Sequence, residues 1–382
     1  MKRLRWSSVV LILIGVRAAA AQPHDVLCDA RPTALSQPWV NVADTPCLEL
    51  VIEQPDGGEL AFTALATAPD GTLYAARPLA GEVWAIRDSD GDQLPDMPRL
   101  AAADLTFPNG LAFHDGALIV SGGAHLYRLR DGVLTILVDD LPSGGGFWTG
   151  GVAVGDDGRV YVGVGAPCDD CRFDETGRGA IWRYEADGSN PTQIASGLRF
   201  PADLTFYNGT LWIVDSGYHA ADEVNRLDVN AATHFGFPYC IGAENTPTVL
   251  ASAAEFDCAD AVAPVLTFPN GSQPLGLAAY TSDALPTLTG GVLVVLAGSY
   301  NQTELVGYRV VLVQSDADGA LSARSIIPVD PEPGNPVTAF TLDQINYRDS
   351  GFWRHRPYDV AVSAGGAIYI SVGGGRILAL RG

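Results

Sequence analysis

The stretch "VAVGDDGRVYVGVG", residues 152–165, decides the fold of this chain. Two runs of alternating apolar residues flank a turn made of Asp and Gly, which is the pattern of two antiparallel strands joined by a tight turn. The same phrase of strand, glycine-containing turn and strand occurs six times in all, and a third strand follows it in most units. The six phrases occupy residues 62–76, 109–123, 150–165, 202–217, 275–299 and 358–375.

This recurrence predicts an all-β protein, a six-bladed β-propeller over residues 62–382. A β-sandwich or two stacked barrels would not require one phrase to recur so regularly. The segment "CLELVIEQ" (47–54) has no counterpart among the repeats. We therefore expect residues 22–61 to complete the last blade and close the ring. The longest insertions are expected after the second strand of the fourth unit, and after the second and third strands of the fifth.

The first 21 residues have the pattern of a secretory signal peptide: a basic start, a short apolar run and a tail of small residues. The apolar run is too short to span a bilayer. We therefore expect a secreted or periplasmic protein with no membrane span. Without residues 1–21 the chain has 19 basic against 44 acidic residues, a balance that disfavours nucleic acid and anionic membranes as partners.

Six cysteines in an exported chain indicate disulfide bonds, although sequence alone does not determine the pairing. Haem attachment is excluded at the CxxC motif, because Arg172 stands where a histidine would follow. A redox-active or zinc-binding role for this motif is the alternative to a structural disulfide. Proximity along the chain favours the pairs Cys28–Cys47, Cys168–Cys171 and Cys240–Cys258.

The residues that precede the first strand of each unit, here called the mouth segments, are expected at the mouth of the central channel. Four of five such segments contain proline, which is tolerated where the backbone has no partner strand to receive an N–H. The mouth segment "GGGFWTGG" (144–151) is instead rich in glycine, which lets a loop fold tightly over the mouth. The side chains predicted at the mouth are Asn109, Phe147, Trp148, Arg199, Phe200, Gln273, His355 and Arg356.

Two interpretations are open for these mouth residues. Arg199 and Arg356 can hold a carboxylate-bearing ligand through paired N–H donors, or they can pair with neighbouring loops. Phe147, Trp148 and Phe200 can stack on a flat ring or a sugar, or they can form a packed apolar lid.

Two acidic segments are candidates for calcium. Asp222 and Glu223 lie in the loop after the second strand of the fourth unit, where carboxylates and backbone carbonyls suit this cation. The segment "DSDGDQLPD" (88–96) begins like an EF-hand loop, but Arg99 occupies the twelfth position, where Glu is required. A calcium-stabilised turn and a solvated hairpin are both open for this segment.

Several phrases in order resemble the glucose/sorbosone dehydrogenase family, whose members are secreted six-bladed propellers that hold pyrroloquinoline quinone and calcium over the channel. The resemblance runs from about Phe62 to the C-terminus. Its most specific parts are the segments 197–217, 222–227, 234–242, 274–280, 297–311 and 356–362, together with the CxxC motif.

The resemblance implies roles for individual residues. Arg199 and Arg356 match arginines that contact the quinone, and Trp148 is placed beside them as a cofactor-binding residue. The backbone carbonyls of Gly217 and Tyr218 are implied to hold the cofactor's calcium. Asp222 and Glu223 match acidic residues of the adjoining calcium loop.

The chain departs from the family at the catalytic loop. Phe147 stands where the family has a histidine, the general base that accepts the substrate's hydroxyl proton as hydride passes to the quinone. Phe200 replaces an asparagine, and Ala297 and Gln302 replace other polar residues. Only two other histidines, His219 and His355, are expected near the mouth.

Three functions follow from these observations. The first is quinone-dependent oxidation of a small sugar or aldehyde with a different base. The second is a catalytically degenerate propeller that binds a ligand or partner through its aromatic mouth. The third is a calcium-dependent lactonase-type hydrolase, for which Asn109 alone supplies a channel ligand.

Overall fold

Six sheets of antiparallel strands, one of them extended by a parallel strand, form the blades of a six-bladed β-propeller, so the predicted all-β fold is confirmed. The computed structural model describes residues 31, 33–34, 44, 46–54, 62–91, 94–173, 177–217, 220–242, 244–254, 256–299, 306–327 and 356–382. No helix of the described residues is long and apolar enough to cross a membrane. The predicted signal peptide, Cys28, Tyr218, His219, Gln302 and His355 lie outside the described residues.

The strands follow one another blade by blade. Blade 1 contains β2 (Ala64–Thr67), β3 (Leu73–Arg77), β4 (Glu82–Ile86) and β5 (Arg99–Ala102), and blade 2 contains β6 (Pro108–His114), β7 (Ala117–Gly122), β8 (His125–Arg130) and β9 (Val133–Val138). Blade 3 contains β10 (Thr149–Val154), β11 (Val160–Val164), β12 (Ala180–Tyr184) and β13 (Thr192–Ser196), extended by β17 (Thr233–His234). Blade 4 contains β14 (Pro201–Tyr207), β15 (Thr210–Asp215), β16 (Asp222–Leu227) and β20 (Leu266–Phe268). Blade 5 contains β21 (Pro274–Tyr280), β22 (Gly291–Leu296), β23 (Arg309–Ser315) and β24 (Leu321–Ile327), and blade 6 contains β25 (Pro357–Val362), β26 (Ile368–Val372), β27 (Arg376–Arg381) and β1 (Cys47–Glu53).

The inner strands begin with an irregular stretch at the channel. Those of blades 2, 4, 5 and 6 begin with proline, which needs no partner for an N–H. In blades 2 to 6 the register with the second strand shifts within the first three or four residues. A bulge of this kind bends the strand and redirects its side chains, so the mouth segments turn toward the channel opening.

Strand β1 lies at the outer edge of blade 6, where it pairs antiparallel with β27. The N-terminal part of the chain is thereby joined to its C-terminal strand. The Glu49 carboxylate lies between Arg31 and Arg381 and accepts hydrogen bonds from both guanidinium groups. This buried carboxylate is paired on both sides, as a charge in the interior requires.

The insertions differ from the expectation in two places. In blade 4 only six residues separate β15 from β16, and the long insertion, 228–265, follows the third strand instead. It contains β17, a hairpin of β18 (Cys240–Ile241) and β19 (Thr246–Pro247), and the short helix α1 (Val249–Ala254). In blade 5 a tight turn joins the third strand to β24, so the long segment 328–355 follows the fourth strand. The error in blade 5 arose because β24 carries too weak a pattern to be recognised as a strand.

Two of the predicted disulfides, Cys168–Cys171 and Cys240–Cys258, are formed. Cys47 is also disulfide-bonded, and none of the described cysteines is a free thiol. The core lies between neighbouring blades. Its largest apolar cluster joins blade 5 to blade 6 through residues such as Leu293, Val310 and Ile370.

Candidate functional site

The glycine-rich mouth segment of blade 3 folds as a loop around the side chain of Arg178. The guanidinium of Arg178 donates hydrogen bonds to the carbonyl oxygens of Gly144 (2.6 Å), Gly145 (2.9 Å) and Phe147 (2.9 Å). It also donates to the carbonyls of Gly165 and Ala166, on the segment that follows β11. One arginine therefore joins both edges of the loop and places Phe147.

Gly146 explains why this loop needs glycine. Its φ is +58°, and a Cβ atom built on it would collide with the backbone of Pro167. Any other residue would suffer both the left-handed backbone and the clash. The three glycines thus permit a close approach between the loop and the segment after β11.

The loop places an aromatic cluster over the mouth. The ring of Phe147 stacks on that of Phe200 at 5.2 Å between centroids, and Trp148 meets Phe200 edge-on at 5.4 Å. Phe107, which directly precedes the inner strand of blade 2 and has a φ of +46°, packs against Trp148. A bulky residue in this backbone region is strained, so the fold holds Phe107 there against a local cost. Trp148 is 44% exposed and forms the water-facing part of the cluster.

Arg199 lies directly beneath these rings. Its guanidinium carbon is 4.3 Å from the centroid of the Phe147 ring, within the range of a cation–π contact. Its Nη1 donates to the carbonyls of Ser216 (2.9 Å) and Gly217 (3.2 Å). Its Nη2 donates to the Asp169 carboxylate at 2.7 Å, and its Nε donates to the Asp169 carbonyl. The predicted alternative of pairing with a neighbouring loop is thus realised in this structure.

Arg356 has a separate set of partners, all in blade 5. It donates to the carbonyls of Ala297, Gly298 and Ser299 and to the hydroxyl of Tyr308, and its guanidinium lies over the Tyr308 ring at 4.5 Å. The arginine is buried, and its described hydrogen bonds share no partner with those of Arg199.

Two buried aspartates brace the neighbouring mouth segments. Asp215 accepts hydrogen bonds from the backbone N–H groups of Arg199 and Phe200. Asp222 accepts from the N–H of Gly217 at 2.8 Å and from that of Gln273 at 2.9 Å. These hydrogen bonds fix the positions of the mouth segments of blades 4 and 5 along the channel axis.

Burial raises the pKa of three acids in this region. The pKa of Asp215 rises to about 6, that of Asp222 to about 7 and that of Glu223 to about 8, with desolvation as the main cause. Repulsion from Asp215 adds to the increase in the pKa of Asp222, and repulsion from Asp215 and Asp222 adds to that of Glu223. A bound cation would lower these pKa values, because it would favour the ionised forms.

The fit of calcium to these residues is limited. Carboxylates and carbonyls are the oxygen donors that calcium prefers. Within the described residues, however, no three acidic, histidine or cysteine side chains are arranged around one point. Asp222 directs both oxygens at backbone donors, and the Gly217 carbonyl accepts from Arg199. In the segment 88–96, Asp88 and Asp96 accept from the N–H groups of Gly91 and Ser89.

The residues of the mouth suit the binding of a quinone better than they suit the transfer of a proton from a substrate. A buried guanidinium beneath stacked aromatic rings suits a flat, carboxylate-bearing molecule. Phe147 has no atom that accepts a proton. Among the histidines described, His125 stacks on Tyr127, and His234 accepts from the Gly236 N–H in the insertion of blade 4.

The structure thus brings Phe147, Trp148, Arg199 and Phe200 together. Arg356 forms a second group, and the Asn109 amide reaches the Thr149 carbonyl at 3.4 Å. Sequence reasoning missed Asp169, Arg178 and Tyr308. The CxxC motif was a signal for the first, but no local pattern marked the other two.

Deeper in the channel, Asp203 and Asp359 link adjacent blades. Asp203 of blade 4 accepts from the Leu277 N–H of blade 5 at 2.7 Å, and Asp359 of blade 6 accepts from the Leu65 N–H of blade 1 at 2.6 Å. Burial raises the pKa of Asp203 to about 7 and that of Asp359 well above its usual range, and repulsion from Asp203 adds to the latter.

Comparisons with known proteins agree with the predicted resemblance. Residues 133–321 match the family model described as glucose/sorbosone dehydrogenase, so the resemblance is confirmed. No curated protein sequence matches the chain.

Solved structures share the fold at low identity. The PQQ domain of pyranose dehydrogenase from Coprinopsis cinerea is 17% identical, with a TM-score of 0.70, 92% of this chain covered and 99% of that one. A calcium structure of a Trichoderma reesei protein from carbohydrate-active enzyme family AA12 is 18% identical, with a TM-score of 0.71 and the same coverage. The PQQ-bound aldose sugar dehydrogenase from Streptomyces coelicolor is 17% identical, with a TM-score of 0.58, 89% of this chain covered and 99% of that one.

Proposed function

Because residues 133–321 match the glucose/sorbosone dehydrogenase model, we propose that this chain is a secreted or periplasmic, sugar dehydrogenase-like propeller that binds pyrroloquinoline quinone with calcium at its channel mouth. Its substrate class would be a small sugar or aldehyde. The observation that carries the proposal is the buried Arg199 guanidinium, held beneath the stacked rings of Phe147 and Phe200.

Each residue group would have a distinct task. Arg199 and Arg356 would bind the carboxylates of the cofactor, and the aromatic cluster would cover its ring and exclude water. The bound quinone would supply a hydride acceptor. Calcium would take the carbonyl of Gly217 and the carboxylates of Asp222 and Glu223 as donors. In this structure that carbonyl accepts from Arg199 and both Asp222 oxygens accept from backbone N–H groups, so these donors would have to exchange partners.

The absence of a proton acceptor at Phe147 favours a second candidate function. A general base typically contributes about 10²–10⁴ in rate, so a mouth without one would bind the cofactor and oxidise sugars slowly. The protein would then be a catalytically degenerate member that binds its ligand or partner through the aromatic mouth. The contact between Phe147 and Arg199 supports this candidate, because the aromatic ring packs on the arginine that would bind the ligand.

An absorbance titration tests the common part of both candidates. We expect purified protein to show saturable uptake of pyrroloquinoline quinone in millimolar calcium. Uptake should be weaker in Arg199→Lys, because lysine lacks the planar pair of N–H donors that binds a carboxylate. Arg183→Lys is the matched control, because Arg183 lies on β12 and donates to the Val229 carbonyl. Failure of the unmodified protein to bind the quinone would contradict the proposal.

A further inference from the structure

The segment after β11 closes over the mouth from the side of blade 3. Its residue Ala166 donates its N–H to the Arg199 carbonyl at 2.8 Å and accepts from the Phe147 N–H at 2.9 Å. The disulfide Cys168–Cys171 then closes a four-residue loop that carries Asp169 and Asp170. The loop is therefore anchored to the mouth segments of blades 3 and 4, which form the aromatic cluster.

Asp169 is the exposed partner of a buried cation. The Arg199 side chain is 9% exposed, whereas that of Asp169 is 64% exposed. Asp169 engages two nitrogens of the guanidinium, Nε through its carbonyl and Nη2 through its carboxylate. The remaining described partners of the guanidinium are backbone carbonyls of Ser216 and Gly217, which are part of the fold beneath it.

We propose that Asp169 is a built-in competitor for anionic ligands at Arg199. Its carboxylate occupies the Nη2 donor that a ligand's carboxylate would use, so an incoming anion must displace it. The disulfide keeps Asp169 close to Arg199 and gives it a high effective concentration there. A neutral sugar does not compete for this donor, so the device discriminates by charge.

This inference rests on the proposed function for the identity of the ligand, but the competition can be measured without that ligand. The probe is phenylglyoxal, which labels accessible guanidinium groups, with labelling at Arg199 located by peptide mass spectrometry. Asp169→Asn keeps the size of the side chain and an acceptor oxygen while removing the charge. Asp170→Asn is the matched control, since Asp170 is an exposed carboxylate of the same loop.

We expect Arg199 to be labelled about two- to fivefold faster in Asp169→Asn, the range expected for a partly exposed ion pair. Asp170→Asn should be labelled at the rate of the unmodified protein. Equal rates in all three proteins would overturn the inference, as would equal acceleration by both substitutions.

Titration with pyrroloquinoline quinone in calcium then separates the two proposals. If the quinone binds, Asp169→Asn should bind it about two- to fivefold more tightly, and Asp170→Asn should not. Quinone binding that is unchanged in Asp169→Asn would overturn the competitor role. If no protein binds the quinone, the proposed function fails, while faster labelling of Arg199 still supports competition at this arginine.

Discussion

At the scale of single residues, Phe147 decides what the mouth can do chemically. Its ring stacks on Phe200 and lies over Arg199, so it contributes packing at the position where the resemblance predicts a proton acceptor. The two arginines proposed to bind the ligand, Arg199 and Arg356, belong to other blades and do not depend on this position for their backbone.

Substitution of Phe147 by histidine should therefore raise the rate of aldose oxidation. With added quinone, calcium and a dye acceptor, we expect at least about a tenfold increase over the unmodified protein, below the full ~10²–10⁴ because the resemblance predicts an asparagine where this chain has Phe200. Phe147→Leu is the control, since it removes the ring without supplying a base.

Rapid oxidation by the unmodified protein, insensitive to both substitutions, would show that the base lies elsewhere. His219→Ala and His355→Ala would then be the next variants to assay.

At the scale of elements, the mouth segment of blade 3 depends on a side chain from another part of the blade. Arg178 lies just before β12, yet its described hydrogen bonds reach backbone carbonyls of the glycine-rich loop and of the segment after β11. Burial lowers the pKa of Arg178, so these carbonyls must compensate for the water that the cation has lost. The loop and the arginine therefore stabilise each other.

Arg178→Lys should destabilise the fold, because an ammonium group cannot reproduce the planar set of donors. We expect a loss of about 2 kcal/mol in the free energy of unfolding, the scale of hydrogen bonds to a charged group. Urea denaturation measures this difference. Arg183→Lys, on β12 of the same blade, whose guanidinium donates to the Val229 carbonyl and bonds to the Tyr161 side chain, should cost clearly less. Equal losses in the two variants would argue against an organising role for Arg178.

At the scale of the whole molecule, two channel carboxyl groups connect blades that are distant in sequence. Asp203 bonds to blade 5, and Asp359 bonds to blade 1, across the closure of the ring. Both pKa values are raised mainly by burial, so the folded protein binds protons at these groups more tightly than the unfolded chain does.

This difference predicts that stability falls as pH rises. A carboxyl group with a raised pKa in the folded state contributes its full stabilisation below about pH 4 and loses it as the pH passes its folded value, about 7 for Asp203. One proton changes the free energy of unfolding by at most about 1.4 kcal/mol per pH unit. Asp203→Asn, which resembles the protonated form, should flatten the decline measured by urea denaturation between about pH 4 and 7.

Asp156→Asn serves as the control for this experiment, because Asp156 is exposed in the turn between β10 and β11. Its pH profile should match that of the unmodified protein. A decline as steep in Asp203→Asn as in the control would exclude Asp203 as a source of the pH dependence.

The blades and the position of the channel mouth could be predicted from the sequence alone. Alternation of apolar residues and glycine turns is a local property, and it identified the first three strands of the units, such as β10 to β12. Proline before an inner strand is equally local, and it placed Arg199 and Phe200 at the channel mouth. The outer strands escaped because segments such as "TQIAS" (192–196) are short and polar, so only pairing with a neighbour makes them strands.

The contacts of the mouth residues could not be predicted in this way, because they depend on how the blades pack together. Asp169 lies 30 positions before Arg199, Arg178 lies 31 positions after Phe147, and Asp359 lies 294 positions from Leu65. Such pairs form because neighbouring blades pack at fixed positions along the axis of a closed ring. No local sequence pattern encodes those positions. The assembly of the blades therefore determines whether Arg199 contacts a ligand or Asp169. The local sequence around Arg199 would be the same in both situations, so it cannot distinguish them.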